Sequence, residues 1–148
     1  ASAGKVPPES TEKPINAEMR QAIDGAGDLS LSKEQRLIYL RKAFFAPGND
    51  PAVWLNGWHD KTHEAESHAR NTTPVDDYFA AGTAPILDLQ GEADTVAPRR
   101  FSGVLKSMLG DRVQIVVLKD AGHAMAPEQP KAMADAIATF AKTQYAKQ

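Results

Sequence analysis

The sequence predicts an α/β protein whose two strands both lie in its second half. A short apolar strand is predicted over 86–90, and a strongly β-branched strand over 113–118. A helix is predicted between them, over 98–109, and another begins at Pro127 or Pro130. Because a helical crossover joins the two strands, we expect them to pair in parallel, in the order β-α-β-α. The last helix is expected to bury Ala132, Met133, Ala136, Ile137 and Phe140.

The first half of the chain, over 9–82, predicts helices without a convincing strand. Asn16 is a candidate N-cap for a first helix, and Ser32 with Gln35 forms a capping box at the start of a second. Apolar residues in the second helix recur at three- and four-residue spacing, which predicts one buried face. That face comprises Leu37, Leu40, Ala43 and Phe44.

Three further helical segments are predicted before residue 82. Asp50-Pro51 is expected to begin one that places Trp54 and Trp58 four residues apart on the same face. Asp60 is a candidate cap for the polar stretch that follows, and the last short helix carries Tyr78 and Phe79.

Composition excludes several classes of protein. The 148 residues carry a net charge of −2 with 42% hydrophobic residues, which indicates a globular chain and gives no electrostatic basis for binding nucleic acid. No apolar run reaches the roughly 18 residues of a membrane span. Because the chain has no cysteine, it contains neither a disulfide scaffold nor a thiolate nucleophile.

Two polar loops follow the predicted strands. Asp94 lies in Gly-Glu-Ala-Asp-Thr-Val-Ala-Pro after the first strand, and His123 lies in Asp-Ala-Gly-His-Ala-Met after the second. Sites in open α/β sheets form beyond the carboxyl ends of the strands, so these side chains are expected at one edge of the sheet. A carboxylate beside an imidazole fixes its tautomer and equips it as a general base. Glu92 and Asp120 are alternative acids, although both fit turn carboxylates better.

These loops and the terminal helix resemble the C-terminal half of an α/β-hydrolase, of the lid-bearing esterase, lipase and peptidase type. In that family the acid follows the penultimate core strand and the histidine follows the last. The resemblance implies that Asp94 and His123 are the triad acid and base. It also implies that 1–8 ends a core strand and leads into the cap, that 9–82 is a helical cap, and that 83–148 is the C-terminal part of the core. No cofactor or metal is implied.

The family's nucleophile motif, Gly-x-Ser-x-Gly, is absent from the chain. Ser2 is the nearest candidate, but an elbow must turn into a helix, and Pro7-Pro8 follows too soon. The chain begins at Ala1 without a methionine, so we interpret it as a processed product, an engineered product or a fragment. The predicted sheet is also incomplete, because two strands with apolar groups on both faces need further cover. We therefore expect a complementary N-terminal chain to supply the nucleophile, the oxyanion hole and most of the sheet.

Other functions remain compatible with the sequence. An epoxide hydrolase or dehalogenase would use an aspartate nucleophile, again on the missing part. A non-catalytic module could bind a partner or small ligand at the same sheet edge. A self-contained flavodoxin-like domain is a third option, but it would need a phosphate-binding loop and more strands than this chain provides. Among the aromatic residues of the cap, Trp54, Trp58 and Tyr78 are the candidates to line an apolar acyl or alcohol pocket.

Three histidines of the predicted cap are candidate metal ligands. His59 and His63 would share a face if the helix continued through them, but His68 is off that register and no carboxylate motif accompanies them. A solvated helix is the favoured interpretation.

Overall fold

The computed structural model describes residues 15–56, 58–74, 82–101 and 103–146. Its helices are α1 (Ala17–Gly27), α2 (Lys33–Ala43), α3 (Asp60–Thr72), α4 (Val104–Leu109), α5 (Met125–Glu128) and α6 (Pro130–Tyr145). Its strands are β1 (Ile86–Gly91) and β2 (Val113–Leu118). Short 3-10 turns cover Pro51–Trp54, Arg99–Phe101 and Gly110–Arg112.

The two strands pair in parallel, as the sequence predicts. Ile86 lies opposite Val113, and the register runs without a break to Gly91 opposite Leu118. Both strands therefore end at the same level, and the loops that follow them leave from one edge of the sheet. The α/β class is confirmed for the part of the chain that the structure describes.

The first two helices begin where their caps predict. The side chain of Asn16 accepts a hydrogen bond from the backbone N–H of Met19 at 2.8 Å. Ser32 and Gln35 form the reciprocal capping box at the start of α2. Each cap satisfies N–H groups that a helix start leaves without an intrahelical partner.

A single apolar cluster joins the helical half of the chain to the two loops. Its helical members include Ala22 of α1 and Leu40 of α2, both fully buried. Its loop members are Val96, two residues after Asp94, and Ala124, directly after His123. Burial of the α2 face therefore also holds the loops that carry the candidate acid and base.

Arg36 is a buried residue of α2 that sequence reasoning missed. Its guanidinium donates to the carbonyl oxygens of Ala26 and Leu55, each at 3.0 Å. These hydrogen bonds connect the end of α1 and the segment after Pro51–Trp54 to α2. They also give the buried guanidinium polar partners, without which its burial would destabilise the fold.

The segment around the two tryptophans differs from the predicted helix. Asp50 caps it as expected, but it is a single 3-10 turn that ends at Trp54. Trp58 lies beyond that turn, and its indole N–H donates to the Trp54 carbonyl oxygen at 2.6 Å. The Asn56-Gly57 pair between them has low helix propensity, which explains why the sequence does not sustain a helix here.

Two other predicted boundaries are wrong. Asp60 is the first residue of α3, and His59 occupies the cap position. The helix over 98–109 is divided into a 3-10 turn and α4, with the weak helix former Gly103 at the start of α4. The last helix begins at Pro130, one of its two predicted starts, while Pro127 belongs to the separate α5.

The apolar side of α6 is less covered than the sequence predicts. Met133, Ala136 and Phe140 are half-buried, whereas Ala132 and Ile137 are exposed. The prediction of a fully buried face was wrong for the described residues, because α6 packs on only two strands.

Some predictions fall outside the described residues. These are the strand end over 1–8, the elbow candidate Ser2, and the helix with Tyr78 and Phe79. Within the described part, the helices are all too short or too polar to traverse a lipid bilayer.

Candidate active site

The loops after β1 and β2 are bound to each other through their backbones. The N–H of Glu92 donates to Leu118 O at 3.0 Å, and that of Ala93 donates to Ala121 O at 2.8 Å. A Cβ atom at Gly91 would lie 2.2 Å from the carbonyl oxygen of Gly122, so this approach requires glycine. The sequence thus permits a contact that brings the two candidate site loops together.

Asp94 lies at the turn of the first loop, and its two carboxylate oxygens have different hydrogen-bond partners. Oδ1 accepts hydrogen bonds from the backbone N–H groups of Val96 at 2.9 Å and Ala97 at 2.8 Å. Oδ2 lies 3.0 Å from Nδ1 of His123. The Asp94 side chain is only 2% exposed, so this carboxylate is shielded from water.

The pKa of Asp94 is lowered, although its environment acts in both directions. Burial is the largest influence and by itself raises the pKa. The hydrogen bond from His123, the backbone N–H of Ala97, the charge of His123 and the backbone N–H of Val96 together outweigh it. Asp94 is therefore a carboxylate at neutral pH, and a carboxylate can only accept a hydrogen bond.

This charge state determines the tautomer of His123. Because Asp94 accepts, Nδ1 of His123 carries the proton, and Nε2 of the neutral ring is left as the basic nitrogen. The histidine side chain is 16% exposed, compared with 2% for the acid. This geometry is chemically suited to a general base, because a buried carboxylate orients the imidazole and can stabilise its charged form.

Phe44, the C-cap residue of α2, positions the histidine loop from the other side. Its carbonyl oxygen accepts a hydrogen bond from the backbone N–H of Ala124 at 2.9 Å, and its ring centroid lies 5.7 Å from that of His123. A Cβ atom at Gly122 would lie 2.6 Å from the same carbonyl oxygen. The helical half of the chain therefore contacts the candidate base directly.

An aromatic cluster is centred on Phe44. The centroids of Trp54 and Trp58 lie 5.5 Å and 6.0 Å from that of Phe44, and Phe45 contacts Trp54 at 5.4 Å. Both tryptophans are half-buried and pack on the apolar cluster that joins the helical half of the chain to the two loops. The structure thus places two of the three predicted pocket residues one ring away from His123; Tyr78, the third, is outside the described residues.

The two alternative acids are part of the loop framework. Oε2 of Glu92 accepts a hydrogen bond from the backbone N–H of Asp120 at 3.2 Å. Asp120 has a φ of 54°, a left-handed conformation that aspartate tolerates in turns. It is Asp94 whose carboxylate lies within hydrogen-bonding distance of the His123 ring.

The three histidines of the first half of the chain lie on the surface. His63 and His68 of α3 and His59, which precedes this helix, are all exposed. In the described ranges, no group of three or more histidine, aspartate or glutamate side chains is arranged to hold a metal ion.

Glu128 is a site residue that sequence reasoning missed. The segment Pro127-Glu128-Gln129-Pro130 reads as a helix start, and nothing in its spacing distinguishes the glutamate. In the structure, the Glu128 carboxylate accepts three hydrogen bonds from the histidine loop and the segment after α2.

The fold has a counterpart among known structures. A crystal structure described as a "putative lipase" from Acinetobacter baumannii matches with a TM-score of 0.65 at 18% sequence identity. The match covers 93% of this chain and 50% of that one, so the chain spans about half the length of its structural counterpart. The likeness shows a hydrolase-like fold. No protein-family model and no curated protein sequence matches the chain.

The lowered pKa of Asp94 predicts how stability depends on pH. Its contribution is fully present above its ordinary pKa of 3.8 and is lost as the pH falls through the lower, folded-state value. Asp94→Asn is therefore expected to lower the free energy of unfolding at pH 7, and the difference from wild type should shrink below about pH 4. Denaturant unfolding across this pH range measures it.

Asp111→Asn is the matched control, because that carboxylate is exposed and pairs only at the surface. It should change stability little at any pH. A loss in Asp94→Asn that stays constant from pH 7 to pH 2 would contradict the assigned charge state.

Proposed function

We propose that this chain supplies the acid and the general base of a hydrolase that cleaves an ester, thioester, lactone or amide through an acyl-enzyme. The observation that carries the proposal is the hydrogen bond between Nδ1 of His123 and the buried Asp94 carboxylate. The likeness of the fold to that of a structure described as a putative lipase supports it.

The mechanism follows from the tautomer. Nε2 of His123 takes the proton of the nucleophile as it attacks the carbonyl carbon, and the buried Asp94 stabilises the imidazolium that forms. His123 then gives that proton to the leaving group, which departs from the tetrahedral intermediate. In the second half of the reaction, His123 deprotonates a water that attacks the acyl-enzyme, and the proton returns to the nucleophile.

We propose that a complementary chain provides the nucleophile, the oxyanion hole and the remaining strands. The sequence contains no Gly-x-Ser-x-Gly motif. Ile115 of β2 is 36% exposed and Ile137 of α6 is 46% exposed, which leaves apolar surface available for further strands and helices. The structural counterpart is about twice as long as the region it shares with this chain, which gives room for them.

The aromatic cluster is proposed to bind the apolar part of the substrate. Phe44 contacts both the His123 ring and the two tryptophans, so a chain bound along Trp54 or Trp58 would hold its carbonyl group near the base. Tyr78 remains a predicted member of this pocket.

The central test removes the acid and the base separately and together. Asp94→Asn is expected to lower kcat by up to about 10⁴-fold, because it removes the charge that fixes the His123 tautomer. His123→Ala should be at least as damaging, and the double variant little worse than the worse single variant, since the two residues act as a unit. The assay is ester hydrolysis by the assembled protein, with folding checked by thermal unfolding.

Asp111→Asn is the matched control, because it changes a carboxylate in the same way but at an exposed residue that pairs with Lys106 at the surface. It should retain full activity. Full hydrolysis by a folded Asp94→Asn or His123→Ala variant would refute the assignment.

A second test concerns the pocket. Trp54→Ala is expected to change the preference for acyl chain length several-fold across an ester series, because it removes an aromatic wall near Phe44. Relative kcat/KM values over the series measure this. The neighbouring Val53→Ala is the control, since Val53 is 59% exposed. A drop in Tm with unchanged relative rates would assign Trp54 to the core alone.

A further inference from the structure

Glu128 joins the histidine loop to the segment that follows α2. Its Oε1 atom accepts hydrogen bonds from the backbone N–H of Ala46 at 2.6 Å and from Nδ2 of Asn49 at 2.7 Å. Its Oε2 atom accepts one from the backbone N–H of Gly122 at 2.7 Å. All three donors lie more than five residues away along the chain, so one carboxylate connects α5 to two other segments of the fold.

The contact with Gly122 is adjacent to the candidate base. Gly122 precedes His123 directly, and Ala124, which follows it, donates its N–H to the carbonyl oxygen of Phe44. The backbone of His123 is thus held on both sides, by Glu128 before it and by Phe44 after it. Asp94 fixes the ring, while these two bonds fix the point from which the ring extends.

We propose that Glu128 is a positioning residue for His123, setting the place of the imidazole relative to the nucleophile and to the aromatic cluster. The inference rests on the proposed function. Glu128 acts through the backbone and through Phe44–Ala46, the segment that carries both the aromatic contact to His123 and the carbonyl that binds Ala124. The segment Phe44–Ala46 therefore positions both the proposed substrate-binding surface and the base.

The chemistry of the three donors explains why a carboxylate is required. Every partner of Glu128 presents an N–H, so both of its oxygens must accept. A glutamine has nearly the same shape but turns an NH₂ group toward one of these donors. Glu128→Gln therefore loses the hydrogen bonds to one of the two segments, because its NH₂ group faces another N–H donor there. It does so without leaving a cavity.

The experiment compares Glu128→Gln with two matched variants in the assembled hydrolase. Active sites are titrated so that only folded, competent enzyme is counted, and kcat, KM and the pH dependence of kcat are measured on one ester. We expect Glu128→Gln to lower kcat per titrated site about 10-fold or more with KM nearly unchanged, because displacement of a catalytic group slows the chemical step. Asn49→Ala, which leaves the Gly122 bond intact, should have a smaller effect. Asp135→Asn, an exposed carboxylate of α6 paired with Lys131, should have none.

A purely structural role would give a different pattern. It would lower Tm and the number of titrated sites while kcat per site and its pH dependence stayed at wild-type values, and this result overturns the proposal. His123→Ala is measured in parallel. If it is inactive while Glu128→Gln is fully active per site, the positioning role is wrong and the proposed function stands; if His123→Ala is fully active, both are wrong.

Discussion

The close backbone approach of the two site loops is the constraint on which the candidate site depends. Gly91 ends β1 and Gly122 precedes His123, and each leaves no room for a Cβ atom against its neighbouring backbone. The parallel register ends both strands at the same level, so this approach places Asp94 opposite His123. A side chain at Gly91 would separate the two loops and with them Asp94 and His123, whereas a side chain at Gly122 would displace the histidine loop from the segment 44–46.

The helical half of the chain also anchors the two loops and contacts the His123 ring. Val96 and Ala124 belong to the same buried cluster as Leu40, so the loops are anchored in the helical core. Phe44 then contributes a carbonyl acceptor to the histidine loop and a ring against the imidazole. The C-terminal end of α2 therefore links helix formation to burial of the apolar cluster and to the orientation of His123.

Much of this could be predicted from the sequence, because the signals were local. The β-branched run over 113–118 and the capping box at Ser32 specify their elements with short-range chemistry, and both are confirmed. The Asp94–His123 pair was predicted from strand order, and the structure places the two side chains in contact. Glu128 and Arg36 were missed because their partners, most of them backbone groups, are brought close only by folding and leave no trace in residue spacing.

The most direct test of the central claim is to locate the nucleophile. The native material is treated with a fluorophosphonate ester, which reacts with an activated serine, and the label is located by peptide mapping after denaturation. We expect the label on a serine outside these 148 residues, at a rate that falls sharply in His123→Ala. Label on Ser2 or another serine of this chain, or an unchanged rate in His123→Ala, would contradict the assignment of Asp94 and His123 as the acid and base of a complementary nucleophile.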